Sequence, residues 1–164
     1  MTPEPVFRRF DDDDLPWQRV KAQRNADGSE SSVWERWLAF RAEPAYLSLF
    51  ARWDPGMIVR RHGHNGPHVL VVLAGSVTIG DRECGPGTHV ELPVGAAFGP
   101  HVAGPDGCEL FEVMVGDPRS WGDDPDAVER LRAERGVTEL PDPPIDLPDR
   151  LEDERAKWTP PTGS

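Results

Sequence analysis

Three histidines, His62, His64 and His68, fall within seven residues in the stretch Gly56-Met-Ile-Val-Arg-Arg-His62-Gly-His64-Asn-Gly-Pro-His68-Val-Leu-Val-Val-Leu-Ala-Gly75. Residues two apart on a strand point to the same face, so His62 and His64 can aim both imidazoles at one point. Imidazole is the commonest side-chain ligand for transition metals, and further donors would complete a site. The competing reading is a polar surface turn that happens to carry histidines, since Asn65-Gly66-Pro67 is a turn sequence. All five histidines of the chain lie between residues 62 and 101, and that clustering favours a site.

The stretch resembles the first motif of the cupin superfamily, G-x5-H-x-H-x3-4-E-x6-G. Gly56, His62, His64 and Gly75 match in spacing, and His68 stands where that family has a metal-binding glutamate. The family's second motif is G-x5-P-x-G-x2-H-x3-N. Here Gly87, Pro93 and Gly95 match, Phe98 replaces the histidine, and Val102 stands at the asparagine position. His101 follows Phe98 by three residues. The resemblance spans roughly residues 45 to 115 and implies a jelly-roll β-barrel with one divalent transition metal inside, near one mouth. It implies an all-histidine ligand set of His62, His64, His68 and His101, with Phe98 as an apolar cavity wall beside it. Such ligands suit Fe(II), which we favour, and also Zn(II), Ni(II), Cu(II) or Mn(II). Strand parity sets a condition: with Phe98 facing inward, His101 falls on the opposite face unless Gly99-Pro100 bulges the strand. His89 shares a strand face with Glu91 and is read as a surface or supporting residue.

Three function classes follow from the resemblance. Small single-domain cupins of this kind include dioxygenases that cleave β-diketones and aromatic hydroxyketones, so the first is an Fe(II) dioxygenase oxidising a small enolisable carbonyl compound. The second is a redox-silent, metal-dependent lyase, isomerase or cyclase in which the ion polarises a carbonyl. The third is a non-catalytic small-molecule binder. Replacing the family's carboxylate ligand by neutral imidazole raises the charge of the site by one and so favours an anionic substrate such as an enolate.

Composition bounds these readings. A chain of 164 residues is long enough for one real core with appendages. A formal net charge of −11 and a pI near 4.8 argue against nucleic acid or an anionic membrane as partner. Neither a membrane-spanning apolar run nor a signal-peptide pattern is present, so the expected location is cytoplasmic. Two cysteines, Cys84 and Cys108, make no disulfide scaffold and are read as free buried thiols.

The elements that must position the histidines are short strands broken by Gly and Pro, an all-β pattern. We expect an N-terminal arm and added strands over 1–44, the barrel core over 45–116, and a helix plus Pro-rich extended tail over 117–164. Residues 1–14 end in Asp11-Asp12-Asp13-Asp14, a self-repelling run expected in solvent. Asn25-Ala26-Asp27-Gly28-Ser29 predicts a hairpin turn. Ser32 to Phe40 carries large apolar groups on both faces, as a strand covered on both sides would, with a homodimer contact as one cover. Strands are further predicted over Ala45–Trp53, Val69–Leu73, Ser76–Ile79, His89–Leu92 and Cys108–Val115. A turn is predicted at Gly104-Pro105-Asp106-Gly107. Asp124-Pro125-Asp126 supplies an N-cap, a proline at the first helical position and an acid in the first turn, and Gly136 ends that helix. Surface pairs are expected between Asp126 and Arg130 and between Glu129 and Arg132. The tail could form a lid over the barrel mouth, with a short helix at Leu151–Lys157.

Overall fold

The computed structural model of the chain describes residues 2–145; the helix expected at 151–157 lies outside the described residues. Eleven strands and one helix follow one another in the order β1 (Gln18–Arg24), β2 (Glu30–Ala42), β3 (Ala45–Trp53), β4 (Ile58–Val59), β5 (His62–His64), β6 (His68–Ile79), β7 (Arg82–Cys84), β8 (His89–Leu92), β9 (His101–Val115), β10 (Ser120–Gly122), α1 (Pro125–Arg135) and β11 (Thr138–Glu139). Nine strands form one antiparallel sheet in the order β11-β1-β2-β3-β9-β6-β7, with β4 added to β9 and β8 added to β6. The remaining two, β5 and β10, pair with each other.

Period-two alternation decides which side chains face inward. On β3, Leu47, Leu49, Ala51 and Trp53 are buried, while Ser48, Phe50 and Arg52 point the other way. On β9 the inner set is Leu110, Glu112 and Met114, and on β6 it is His68, Leu70 and Val72. The register sets Leu49 and Leu70 directly opposite Glu112 from its two sides, and sets Leu47 and His68 opposite Met114. Val20 and Val33 from the N-terminal strands join the same apolar cluster.

The expected strands over 69–73 and 76–79 are one strand, β6, because Gly75 keeps the ladder to β9 running through a register shift. The predicted turn at 104–107 is a bulged excursion inside β9. Pairing with β6 jumps from Gly75↔Cys108 to Val77↔Ala103, leaving those four residues outside the ladder.

The N-terminal segment differs from a solvated tail in its aromatic residues. Phe10 packs edge-on against Trp17 and Phe50, with ring centroids 5.5 and 4.9 Å apart, and its carbonyl accepts from Arg36 Nη1 at 2.7 Å. Arg36 and Arg52 lie over the Trp17 ring at 4.7 and 4.8 Å. The chain's own arm thus covers part of the outer face of β2 and β3.

The helix starts and stops where expected. Asp124 caps it by accepting from Ala127 N at 3.2 Å, Gly136 ends it at φ 65°, and Val128 is its buried residue. Arg132 pairs with Glu139 at 2.7 Å, at the start of the tail, and not along the helix with Glu129. Leu140 N donates to Ala22 O at 3.0 Å, and Ile145 packs against the core, so the segment after the helix runs back along β1.

Candidate metal centre

The two-residue spacing of His62 and His64 does what strand geometry requires: both rings turn to the inside of β5, with centroids 5.1 Å apart. Gly63 between them faces outward against β10, where a Cβ would overlap the Trp121 ring and the Ala96 carbonyl. The 65–67 turn then lets the chain re-enter the sheet at His68 with its ring inward, 4.5 Å from that of His64.

His101 meets the parity condition through its backbone. Phe98 and His101 are both buried, at 8% and 1% exposure, with rings 4.4 Å apart and perpendicular. Phe98 is tied to His62 by two main-chain hydrogen bonds, N–H to carbonyl in both directions, of 2.9 and 3.0 Å. Gly99 follows at φ 105°, a conformation side-chain-bearing residues rarely adopt, and it turns the chain so that the next strand starts with its first residue inward. The His101 ring lies 5.2 Å from that of His62. The four rings thus form a continuous chain, His68–His64–His62–His101, with Phe98 against three of them. His89 is exposed on β8, on the far side of its ladder with Val71, and takes no part.

Each of the four rings has one nitrogen committed to an acceptor. His62 Nδ1 donates to Arg60 O at 2.9 Å and His64 Nδ1 to Pro118 O at 2.9 Å. His68 Nε2 donates to Glu112 Oε2 at 2.9 Å, and His101 is bonded to the Arg60 backbone. A carbonyl or carboxylate only accepts, so these nitrogens carry the protons, and in a neutral ring the opposite nitrogen carries a lone pair. Three of those opposite nitrogens, His64 Nε2, His68 Nδ1 and His101 Nδ1, are buried without a hydrogen-bond partner.

Glu112 is the residue the motif comparison missed. It sits on β9 between Leu49 and Leu70, 8% exposed. A carboxylate among apolar side chains costs several kcal/mol unless paired, and His68 is its partner. The signal was present in the strand: in Leu110-Phe111-Glu112-Val113-Met114 the acid falls on the same parity as Leu110 and Met114.

Burial sets the electrostatics. It pushes His64 and His101 down to about 4, and the neighbouring imidazoles add to the effect. His62 is held well below the usual histidine range for the same reason, with His101 the next largest cause. Burial alone would raise Glu112, but the His68 hydrogen bond and the nearby rings bring it below the ordinary carboxylate value. His62, His64 and His101 are therefore neutral and Glu112 ionised near neutral pH. The two cysteines are free and buried, as expected; Cys108 is pushed up to about 12 by burial and then by Glu112 and Glu109, so neither offers a thiolate.

A cavity of about 380 Å³ opens beside the rings. His62, His64 and Glu112 lie on its wall with Leu47, Leu49 and Trp53, and Lys21, Arg60 and Asp142 border it. A neutral imidazole with a buried, unpartnered lone pair is the arrangement of a metal-binding histidine, whose other nitrogen is held by a carbonyl or carboxylate. The donor set fits a transition metal on that ground. Among the described residues, no three or more His, Cys, Asp or Glu side chains already stand at ligand geometry around one point. No described helix is long and apolar enough to cross a membrane.

No protein-family model matches the chain, and no curated relative does. Solved structures share its fold at low identity. The acetylacetone dioxygenase from Acinetobacter johnsonii superposes with a TM-score of 0.58 at 13% identity, over 77% of this chain and 82% of that one. The polyketide cyclase RemF from Streptomyces resistomycificus gives 0.56 at 20% identity, over 77% and 94%. A sugar phosphate isomerase from a cupin superfamily, from Silicibacter pomeroyi, gives 0.54 at 19% identity, over 73% and 83%.

Proposed function

The chain is a cupin by fold, and we propose that it is a mononuclear metal enzyme that oxidises a small enolisable carbonyl compound as an Fe(II) dioxygenase. The ligands in this reading are His62, His64, His68 and His101. The observation that carries it is the set of three buried ring nitrogens without partners, each opposite a nitrogen already engaged. Leaving such groups unsatisfied costs about 1–3 kcal/mol each, a cost that a shared ligand removes. That one solved structure of this fold is an acetylacetone dioxygenase supports the reading.

The protein's part is positioning. The Arg60 carbonyl accepts from both His62 and His101, so one peptide group orients two rings delivered by different strands. Glu112 accepts from His68 Nε2 and so holds the orientation of that ring. Phe98 keeps one side of the site apolar, and Leu47, Leu49 and Trp53 narrow the water beside it. Bound there, a divalent iron would polarise the substrate carbonyl, favouring its enolate, and would supply the redox chemistry toward dioxygen.

Oxygen uptake decides the reaction class. Protein loaded with Fe(II) and given acetylacetone is expected to consume oxygen as the diketone disappears. Substrate turnover without oxygen uptake would instead mark a redox-silent lyase, isomerase or cyclase, the second reading, which shares its fold with RemF. Purified protein that takes up no stoichiometric divalent metal would leave only the binding role.

A further inference from the structure

The polar groups around the cavity are unevenly matched. Its three acids are engaged: Glu112 with His68 at 2.9 Å, Glu35 with Trp37 Nε1 at 2.7 Å, and Asp142 with Lys21 at 3.4 Å. The donors are not. Arg60 has one contact, to Ser120 Oγ at 3.5 Å, the outer limit of a hydrogen bond, and no carboxylate among the described residues pairs with it. The adjacent Arg61 shows the contrast, since Asp123 holds it at 2.8 Å. Arg60 is half-buried and lies against β10: a Cβ on Gly122 would come within 3.0 Å of its Nη1, and Ser120 on the same strand pairs with His64. Trp53 is the second unmatched donor. Its indole Nε1 is buried without a partner, on the same cavity wall and with its ring 5.8 Å from His101.

A cavity whose acids are hydrogen-bonded and which keeps one guanidinium and one indole N–H free can take an anion. We infer that its ligand is a small carboxylate-bearing carbonyl compound, a keto acid or its enol, with Arg60 as the residue that binds the carboxylate. This rests on the reading of the site given above and narrows its substrate class. The guanidinium presents a planar pair of N–H groups that matches a carboxylate bidentately. The half-buried position beside an apolar wall makes that pair stronger than one in open solvent. The Trp53 N–H is a donor for a further oxygen of the same ligand. A volume of about 380 Å³ is at the low end of small-molecule pockets and accommodates such a compound.

Acetoacetate and acetylacetone make a matched pair of probes, since a carboxylate in one replaces an acetyl group in the other. Dissociation constants are measured anaerobically by calorimetry for wild type and Arg60→Met, after plasma emission has established the metal content of both. Acetoacetate is expected to bind wild type about tenfold more tightly than acetylacetone, as hydrogen bonds to charged groups of roughly 1.5 kcal/mol would give. The preference is expected to shrink as salt is raised. In Arg60→Met the ratio of the two constants should collapse toward one, and Arg60→Lys should recover part of it. An equal ratio in Arg60→Met and wild type, or no preference in wild type, overturns the inference. If neither protein takes up metal, the metal reading fails by itself. An acetoacetate preference that still depends on Arg60 in the metal-free proteins would then sustain the carboxylate site alone, and its absence would end both.

Discussion

His68 donates its Nε2–H to Glu112 Oε2 at 2.9 Å across two adjacent strands, from residues 44 positions apart in the chain. This pair joins the first histidine cluster to the strand that carries the fourth histidine. The carboxylate lies between Leu49 and Leu70, with His68 as its hydrogen-bond partner. Glu112→Gln is expected to weaken metal retention about 10- to 100-fold, measured by competition with a chromophoric chelator. His68→Ala should weaken it further. A Glu112→Gln protein that holds metal as well as the parent would show that the acid only fills the core.

The double substitution His62→Ala with His64→Ala should abolish stoichiometric metal uptake while leaving the sheet intact, since neither ring belongs to the apolar cluster. Plasma emission and circular dichroism report the two properties separately. Full metal content in the double variant would place the site elsewhere.

Gly99 sets the inward turn of His101, and a Cβ there would approach His101 Nδ1 to 2.6 Å. With φ at 105°, Gly99→Ala is expected to cost about 1–3 kcal/mol in stability. It should also lower metal affinity, because the displaced atom is one of the three unpartnered nitrogens. Urea unfolding together with chelator competition tests both; a loss of stability with unchanged affinity would remove His101 from the ligand set.

Phe98 stands 4.4 Å from His101 and 5.0 Å from His62, ring to ring. Phe98→His places an imidazole in that volume and is expected to tighten metal binding. Weaker binding would mean that the apolar wall matters more than another donor.

In metal-free protein the buried rings make stability depend on pH. His64 and His101 take up protons near 4 in the folded chain and near 6.5 when unfolded, so between those values the unfolded state binds more protons. Stability therefore falls as pH drops from about 6.5 to 4, by on the order of 3 kcal/mol for each ring. Glu112, lowered in the folded state, continues the loss in the same direction at lower pH. Urea midpoints at pH 7 and pH 5 measure the effect. Equal midpoints would mean that the rings are not buried as neutral groups.

Much of this arrangement was legible in local sequence. The H-x-H spacing, the alternation on β3 and the Asp124-Pro125 helix start depend on neighbours a few residues apart. The inward position of His101 was not, because it turns on one glycine dihedral that residue types alone do not dictate. The role of Glu112 was half-visible: parity places it inside, but its partner is fixed only by the β6–β9 register. The cover over β2 and β3 was likewise hidden, since the acidic run at 11–14 masks the aromatic residues on either side of it.

The place of β9 in the sheet carries a consequence for the order of assembly. It must pair with β6, joining His68 to Met114 and Ile79 to His101, before Glu112 and His101 can reach the other histidines. Closing such long loops is entropically costly and makes folding slow. His62, His64 and His68 are close neighbours even in an unfolded chain, whereas the fourth ring arrives only with the native register. A metal ion encountered early would therefore meet three flexible imidazoles and no enclosing wall, so selectivity between ions is a property of the finished sheet and not of the histidine-rich stretch itself.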